Sequence, residues 1–309
     1  MNLVTDIRCH SDRPYEQIEV HFDPETGAYW AAMHPRPRPA FGPQILREFH
    51  AFIESIVESR GQILHDGQSH KINYAVLASK TPGVFNLGGD LALFRAAILN
   101  RDSAQLEKYA QLCVDGLLPW NRNFDLPITT ISLVQGTALG GGLEAALASS
   151  FVIAEESCKM GFPEVLFNLF PGMGAYSFLH RKVGRRITEE LVLGGNTYTA
   201  RQLYDMGVVD VITADGTGDV AIANFMRKHT RGGNGRRAFE RIRRDFEAVT
   251  SEELMHITNV WVDAAMQLSE RDIKMMERLI RAQERGSVTS LQRADKPEHA
   301  NRQAIGAGE

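Results

Sequence analysis

Two glycine-rich segments stand out as places where this chain could bind a reacting atom. The segments are Phe85-Asn-Leu-Gly-Gly-Asp90 and Gly136-Thr-Ala-Leu-Gly-Gly-Gly-Leu-Glu144, and each ends a β-prone run and opens a helical one. Glycine lets the backbone approach a ligand closely, and the N–H groups in the first turn of a helix have no acceptor within that helix. Two such turns can bind one oxygen atom together, although tight packing of a strand on a helix explains any single glycine as well.

Two glutamates are candidates for acid-base chemistry because they lie inside apolar runs. Glu144 lies in the run from Leu143 to Ala148, about one turn after three consecutive glycines, and Glu164 follows the rigid Pro163. A carboxyl group in such surroundings is either a buried structural acid or a group whose pKa is raised by desolvation for proton transfer. Glu144 alone fits both interpretations, but two such acids in one chain favour a catalytic function.

Motifs for nucleotides and metals are missing from the sequence. The segment from Gly136 to Gly142 lacks the lysine of a P-loop, and Gly172-Met-Gly174 lacks the third glycine of a dinucleotide fingerprint. The histidines show no metal-ligand spacing, and His65 and His70 are better explained as surface residues of a polar loop. We therefore expect no metal and no cofactor.

Composition narrows the class of protein further. The 309 residues are 43% apolar, and 34 Lys plus Arg stand against 38 Asp plus Glu, for a net charge of -4. These values exclude wholesale disorder and offer no global attraction to nucleic acid or to anionic membranes. Three cysteines without C-x-x-C spacing favour a reducing compartment. Residues 1–14 lack the apolar core of a signal peptide, and the longest apolar stretch, residues 128–154, is interrupted by Gln135, four glycines and Glu144. We therefore expect a cytoplasmic protein without membrane insertion.

Strand and helix signals alternate through most of the chain and predict a layered α/β architecture. Asp90 can cap the helix that begins at Leu91, which explains this residue as well as a role in a site would. The signals predict a hairpin from Ile18–Phe22 and Ala28–Met33, helices at Pro43–Ser59, Leu91–Leu99 and Gly141–Ser149, and strands at Tyr74–Ala78, Ile128–Val134 and Phe151–Ala154.

Beyond residue 220 only helical signals continue. Thr250 and Ser269 each begin a capping pattern, and the second helix is expected to run from about Glu270 to Arg285 and to stop at Gly286. We therefore divide the chain into a core at residues 1–225, a helical module at 226–286 and a disordered tail at 287–309.

The helical module opens with a strongly basic run. Eight basic residues and one acid, Glu240, give this run a local charge of +7. Such a run is either a solvated helix face or a docking surface for an acidic or phosphorylated partner. The basic cluster consists of Arg227, Lys228, Arg231, Arg236, Arg237, Arg241, Arg243 and Arg244.

Taken together, these motifs resemble the crotonase (enoyl-CoA hydratase/isomerase) superfamily over roughly residues 15 to 285. The resemblance rests on Phe-x-x-Gly-x-Asp at 85–90, Ala-Leu-Gly-Gly-Gly-x-Glu at 138–144, and Pro163-Glu164 followed by Pro171-Gly172. Each motif is weak alone, but the combination is specific.

Within that superfamily the chain looks most like the diffusible-signal-factor synthases, which make cis-2-unsaturated fatty acid signals. The supporting stretches are Asn86–Leu91, Pro127–Ile131, Leu166–Gly174 and Tyr204–Val211. Ordinary hydratases usually have a smaller residue than Leu87 in the first motif and a more polar segment after Pro171-Gly172.

The resemblance implies a spiral of ββα units with a C-terminal helical trimerisation module, assembled as a homotrimer or hexamer. It implies that Glu144 and Glu164 are the catalytic acid-base pair and that the backbone N–H groups of Leu87 and Gly141 form the oxyanion hole. The sequence leaves open which glutamate is the acid. Apolar residues that are otherwise explained as core are expected to line an acyl pocket, with two glycines beside them: Gly88, Gly140, Trp120, Phe167, Leu169, Phe170 and Met173.

By the same resemblance, the expected activity is dehydration and thioester hydrolysis of a 3-hydroxyacyl group carried by acyl carrier protein, giving a free cis-2-unsaturated fatty acid used in quorum sensing. A membrane sensor kinase is a second implied partner. An enoyl-CoA hydratase/isomerase of fatty-acid breakdown is the alternative enzyme, and a non-catalytic binding protein on the same scaffold is the alternative from another class. Chain length, branching and double-bond geometry are not readable from the sequence.

Overall fold

The computed structural model describes residues 15–293, and the side chains among them except those at 237, 282 and 285–293. The strands are β1 (Ile18–Asp23), β2 (Ala28–Met33), β3 (Gln62–His65), β4 (Gln68–Lys71), β5 (Tyr74–Ser79), β6 (Val84–Asn86), β7 (Thr129–Val134), β8 (Thr137–Leu139), β9 (Phe151–Glu155), β10 (Lys159–Gly161), β11 (Thr197–Thr199) and β12 (Val211–Thr213). The helices are α1 (Pro43–Glu58), α2 (Leu91–Leu99), α3 (Ser103–Asn121), α4 (Gly141–Leu147), α5 (Ala175–Gly194), α6 (Ala200–Asp205), α7 (Gly218–Arg231), α8 (Gly233–Phe246), α9 (Ser251–Ala265) and α10 (Glu270–Arg293).

Two sheets organise the strands. The larger has six strands in the order β1-β2-β5-β7-β9-β12, and the smaller has four in the order β11-β10-β8-β6. β1 pairs antiparallel with β2, as the hairpin prediction requires, while β2, β5, β7, β9 and β12 run parallel. The parallel strands β5 and β7 are almost wholly buried, which explains their continuous apolar sequence.

The chain moves between the two sheets in a repeated pattern. β5, β7 and β9 each join the large sheet, and the next strand along the chain, β6, β8 and β10 respectively, joins the small one. A helix follows after each such pair of strands. The fold is therefore the crotonase-like spiral of ββα units that the motifs indicated, and it brings the ends of β6 and β8 side by side, with the helices α2 and α4 following them.

The predicted helices form at the expected places. In α1 the residues Ile45, Phe52 and Ile56 are fully buried, as the apolar spacing predicts, although Val57 at the edge of this face is exposed. Asp90 caps α2, since its side chain accepts from the N–H groups of Ala92 and Leu93. Capping is thus confirmed as the local role of Asp90.

The C-terminal region is helical, but one predicted boundary is wrong. Thr250 and Ser269 make the expected capping contacts at the starts of α9 and α10. α10 does not stop at Gly286 and continues to Arg293, because a single glycine costs only about 1 kcal/mol in a helix interior. Residues 287–293, predicted as part of the tail, are therefore helical, and the rest of the predicted tail, residues 294–309, lies outside the described part of the chain. Within the described part, no helix is long and apolar enough to cross a membrane.

Candidate active site

Glu144 is buried in the first turn of α4, directly after the glycine turn. Its Oε1 atom accepts hydrogen bonds from the backbone N–H groups of Met173 at 2.8 Å and Ala175 at 2.9 Å. The side chain is 2% exposed. Two N–H donors fix the carboxyl group in place and favour its ionised form.

Glu164 approaches the same point from the other side. It begins a short 3-10 helix, Glu164–Phe167, immediately after Pro163. Its Oε2 atom is buried and finds no hydrogen-bond partner among the described residues. A buried carboxyl oxygen without a partner costs free energy unless it carries a proton or meets a ligand. The Oε2 atom of Glu164 can therefore carry a proton or form a hydrogen bond with a ligand in the site.

The surroundings of the two glutamates raise both pKa values. Burial raises the pKa of Glu144 to about 7, against the opposing effect of the Ala175 and Met173 N–H groups. Burial and then the negative charge of Glu144 raise the pKa of Glu164 to about 8. At neutral pH the pair therefore carries about one proton, and the N–H donors at Glu144 leave that proton preferentially on Glu164.

The expected first oxyanion donor is wrong. The N–H of Leu87 is already used, since it donates to the carbonyl oxygen of Pro39 at 2.7 Å. The N–H groups of Gly89 and Gly141, by contrast, have no acceptor among the described residues. The two glycines adjoin, because a methyl group built on the Cα of Gly141 would lie 3.4 Å from the Gly89 nitrogen. Gly89 and Gly141 are therefore the candidate donor pair.

A cavity of about 300 Å³ connects these groups. Both glutamates and the glycines at 88, 89, 140 and 141 line one part of it. The rest is mostly apolar and lies between α1 and α3, where the wall consists of Leu46, Phe49, Tyr109, Cys113, Gly116 and Leu117. Within the described part of the chain, no lysine or arginine lines the cavity. The space fits an alkyl chain better than a charged group.

The structure separates the expected pocket residues into two groups. Phe167, Leu169 and Met173 line the cavity, as do Gly88 and Gly140. Trp120 and Phe170 do not.

Trp120 belongs to the core. Its ring packs against Phe49, Phe52 and Phe124, and its Nε1–H donates to the Ser149 hydroxyl at 2.8 Å. A buried tryptophan needs such a partner for its N–H, and this one finds it away from the cavity.

Phe170 packs partly buried against the core, although its neighbour Leu169 lines the cavity. Sequence analysis overlooked Trp261 of α9 and Leu279 and Gln283 of α10, which also line the cavity. Their apolar periodicity indicated helices, but nothing local indicated what those helices cover.

This geometry can move protons at a carbon next to a thioester. Two unoccupied N–H groups can stabilise an oxygen that becomes negative, while one carboxylate removes a proton and the protonated carboxyl group donates one. Loss of one such oxyanion donor typically costs about 3 kcal/mol of transition-state stabilisation. The site therefore has the parts that an enolate-forming reaction needs.

Comparison with known proteins agrees with this geometry. The profile of the family described as "Enoyl-CoA hydratase/isomerase" matches residues 48–256. The chain is 30% identical over 188 residues to "Probable enoyl-CoA hydratase echA8" of Mycobacterium leprae, covering 59% of this chain and 68% of that protein.

Solved structures show the same fold at lower identity. Enoyl-CoA hydratase from Bacillus halodurans is similar with a TM-score of 0.69 and 18% identity, covering 85% of this chain and all of that one. DspI of Pseudomonas aeruginosa is similar with a TM-score of 0.64 and 21% identity, covering 83% and 95%. The chain therefore belongs to the enoyl-CoA hydratase/isomerase family and is an enzyme of the crotonase superfamily.

Proposed function

We propose that this enzyme dehydrates a 3-hydroxyacyl thioester and then hydrolyses the thioester, releasing a cis-2-unsaturated fatty acid that serves as a quorum-sensing signal. The observation that carries the proposal is the pair Glu144 and Glu164, two buried carboxyl groups that share about one proton beside two free N–H groups. The resemblance of Asn86–Leu91 and Leu166–Gly174 to the diffusible-signal-factor synthases supports the choice of product.

In the dehydration step, the thioester oxygen accepts hydrogen bonds from the N–H groups of Gly89 and Gly141. One glutamate takes the proton from C2, and the C3–O bond breaks as the other carboxyl group donates a proton to the hydroxyl, so that water leaves. An α-proton of a thioester is only weakly acidic, and the N–H pair stabilises the enolate that its removal creates.

In the hydrolysis step, a glutamate removes a proton from a water molecule that attacks the carbonyl carbon. The same two N–H groups stabilise the tetrahedral oxyanion. The C–S bond then breaks, the thiol of the carrier takes a proton, and the free acid is released. One set of donors thus serves both steps.

The size of the cavity supports a medium-length acyl chain. A cavity of about 150 Å³ holds a benzene-sized ligand. On that scale, the cavity of about 300 Å³ holds roughly twelve carbon atoms. Each buried methylene contributes about 0.8 kcal/mol, which allows the apolar wall to select chain length.

Acyl carrier protein is the proposed acyl donor, but the basic cluster does not border the cavity. Arg243 donates to the Ser150 carbonyl oxygen and Arg244 to that of Leu126, beyond the C-terminal end of α4. None of the described side chains of the basic cluster is among the residues that line the cavity. The proposal of a carrier protein therefore takes its support from the resemblance alone, as do the proposed sensor kinase and the homotrimeric or hexameric assembly. The proposed cytoplasmic location takes its support from the cysteine content and the N-terminal sequence.

Enoyl-CoA hydratase/isomerase activity is the second candidate, and the same shared proton fits it. An ionised Glu144 and a protonated Glu164 suit the addition of water to a double bond, since one activates water and the other supplies a proton. The name of the relative from Mycobacterium leprae supports the same activity.

Product analysis separates these candidates. The purified enzyme is given 3-hydroxydodecanoyl thioesters of acyl carrier protein and of CoA in parallel, and the products are identified by mass spectrometry against cis and trans standards. Glu144→Gln is the control because a glutamine oxygen can still accept from Met173 and Ala175.

Free cis-2-dodecenoic acid formed mainly from the carrier protein, and absent with Glu144→Gln, is the expected result. A trans-2-enoyl thioester formed mainly from CoA would instead establish the hydratase. If neither thioester is converted, the non-catalytic binding protein becomes the better explanation.

A further inference from the structure

Gln283 of α10 is a buried polar residue at the cavity that the proposed chemistry does not use. It lines the cavity and is 8% exposed. Its Nε2 atom donates to the carbonyl oxygen of Leu87 at 3.0 Å, which also fixes the orientation of the amide, since a carbonyl oxygen can only accept. Its Oε1 atom is buried and has no hydrogen-bond partner among the described residues.

A buried acceptor without a donor is costly, and this one belongs to a side chain that lines the cavity. Leaving such a group unsatisfied costs about 1–3 kcal/mol. Hydrogen-bonding of Nε2 to Leu87 holds the free oxygen at the turn that carries Gly89, one of the two oxyanion donors. A ligand bound by Gly89 and Gly141 therefore passes close to the Gln283 oxygen.

The direction of the substrate identifies which of its groups reaches Gln283. The alkyl chain occupies the apolar end between α1 and α3, and the 3-hydroxyl group must meet the glutamates, which protonate it. The sulfur of the thioester therefore points away from the apolar end, toward α10. A few bonds beyond the sulfur, the pantetheine arm common to acyl carrier protein and CoA carries an amide N–H.

We propose that the Oε1 atom of Gln283 accepts a hydrogen bond from the pantetheine amide N–H nearest the thioester, so that α10 positions the arm of the substrate. This inference rests on the proposed thioester substrate but not on the identity of the carrier. Arg95 of α2 contacts Glu277 at 2.8 Å and anchors α10 beside α2, whereas the Arg38–Glu284 pair is longer, at 3.4 Å, and partly exposed.

The test uses two small thioesters that differ by N-methylation of this amide, and the Gln283→Leu variant separates the lost hydrogen bond from the added methyl group. One is 3-hydroxydodecanoyl N-acetylcysteamine, and the other is its N-methylated analogue, which keeps the carbonyl and loses the donor. Dissociation constants are measured by calorimetry in the Glu144→Gln background, where turnover does not interfere. Gln283→Leu removes the acceptor, and Glu284→Gln is the matched control because it disturbs the neighbouring ion pair on the same turn of α10.

In the Glu144→Gln background, N-methylation is expected to weaken binding by roughly five- to tenfold, the contribution of one hydrogen bond. With Gln283→Leu added, the two thioesters should bind equally, and Glu284→Gln should keep the discrimination. In the otherwise native enzyme, Gln283→Leu should raise KM with little change in kcat.

The inference is wrong if N-methylation weakens binding to the same extent with and without Gln283. It is also wrong if the two thioesters bind equally when Gln283 is present. The second result needs no Gln283 variant and stands even if Gln283→Leu fails to fold. Failure of the proposed function has a different signature, namely a product other than the free cis-2-enoic acid, and it leaves these binding constants interpretable.

Discussion

Glu164 touches the glycine turn that begins α4, for a β-carbon added to Gly140 would lie 2.2 Å from the Glu164 Oε1 atom. The backbone at Gly140 also has a φ of +50°. One residue thus provides both the turn that presents the Gly141 N–H and the space that a catalytic carboxyl group occupies.

Gly140→Ala is expected to lower kcat/KM by about a hundredfold or more, because the new methyl group displaces the Glu164 carboxyl group. The positive φ adds a stability cost of about 1–3 kcal/mol. Gly67→Ala is the matched control, since Gly67 also has a positive φ but nothing within 4 Å of its added β-carbon. Kinetics and thermal unfolding of both variants check the prediction. Equal activity losses in the two would assign the effect to backbone strain.

The rate should follow a bell-shaped curve with pH. Below about pH 7 Glu144 takes up a proton, and above about pH 8 Glu164 loses its own, so the singly protonated pair is most abundant between these values. The profile of kcat/KM for a carrier-free thioester measures this directly. A flat profile between pH 5 and 9 would contradict the shared proton.

Glu164→Gln should stabilise the fold increasingly as the pH rises. In the folded protein the pKa of Glu164 is about 8, against an ordinary value of 4.5, so the folded state binds the proton more tightly than the unfolded state does. Stability of the native enzyme is therefore lost between about pH 4.5 and 8, and glutamine removes this loss. The difference in unfolding free energy is expected to reach a few kcal/mol at pH 8 and should be near zero at pH 4. Urea unfolding at several pH values checks both the sign and the window.

Gly89→Ala should reduce kcat by roughly a hundredfold or more through the oxyanion hole. A β-carbon at position 89 would lie 2.5 Å from the ring of Phe94 and would push the N–H donor out of place. Phe94→Leu makes room, and in the Gly89→Ala background it should restore part of the activity. Phe94→Leu alone serves as the control. Undiminished turnover by Gly89→Ala would remove this N–H from the mechanism.

Leu117 should control the length of the acyl chain. It lines the apolar end of the cavity on α3. Leu117→Ala is expected to shift the optimum toward chains longer by one or two carbons, and Leu117→Phe toward shorter ones, because each buried methylene is worth about 0.8 kcal/mol. Competition among 3-hydroxyacyl thioesters of graded length gives the shift. An unchanged optimum in both variants would exclude this wall as the length determinant.

Local sequence was sufficient for much of the fold. The hairpin, the cap at Asp90, the buried strand from Tyr74 and the capping patterns at Thr250 and Ser269 all depend on neighbours in the chain, and all are present. Glu144 and Glu164 were chosen for their apolar flanks, and the spiral brings them to one cavity.

The site predictions that failed concern residues whose surroundings are formed by distant segments of the chain. The Leu87 N–H is occupied because the chain around Pro39 lies against it, and no pattern near Leu87 reveals that neighbour. Trp120 looked like a pocket residue until Ser149 and the rings of α1 were seen to enclose it. Gln283 was overlooked because its significance comes from the placement of α10 and not from its own flanks.

The far wall of the cavity is a contact between two core helices. At Gly116 of α3 an added methyl group would lie 3.3 Å from the His50 ring of α1 and 3.4 Å from Phe49, so the helices have little freedom to move together or apart. Residues of this contact, Phe49 and Gly116, also line the cavity. Substitutions that reshape the far end of the cavity are therefore expected to change the packing of the core as well, so that substrate preference and stability shift together.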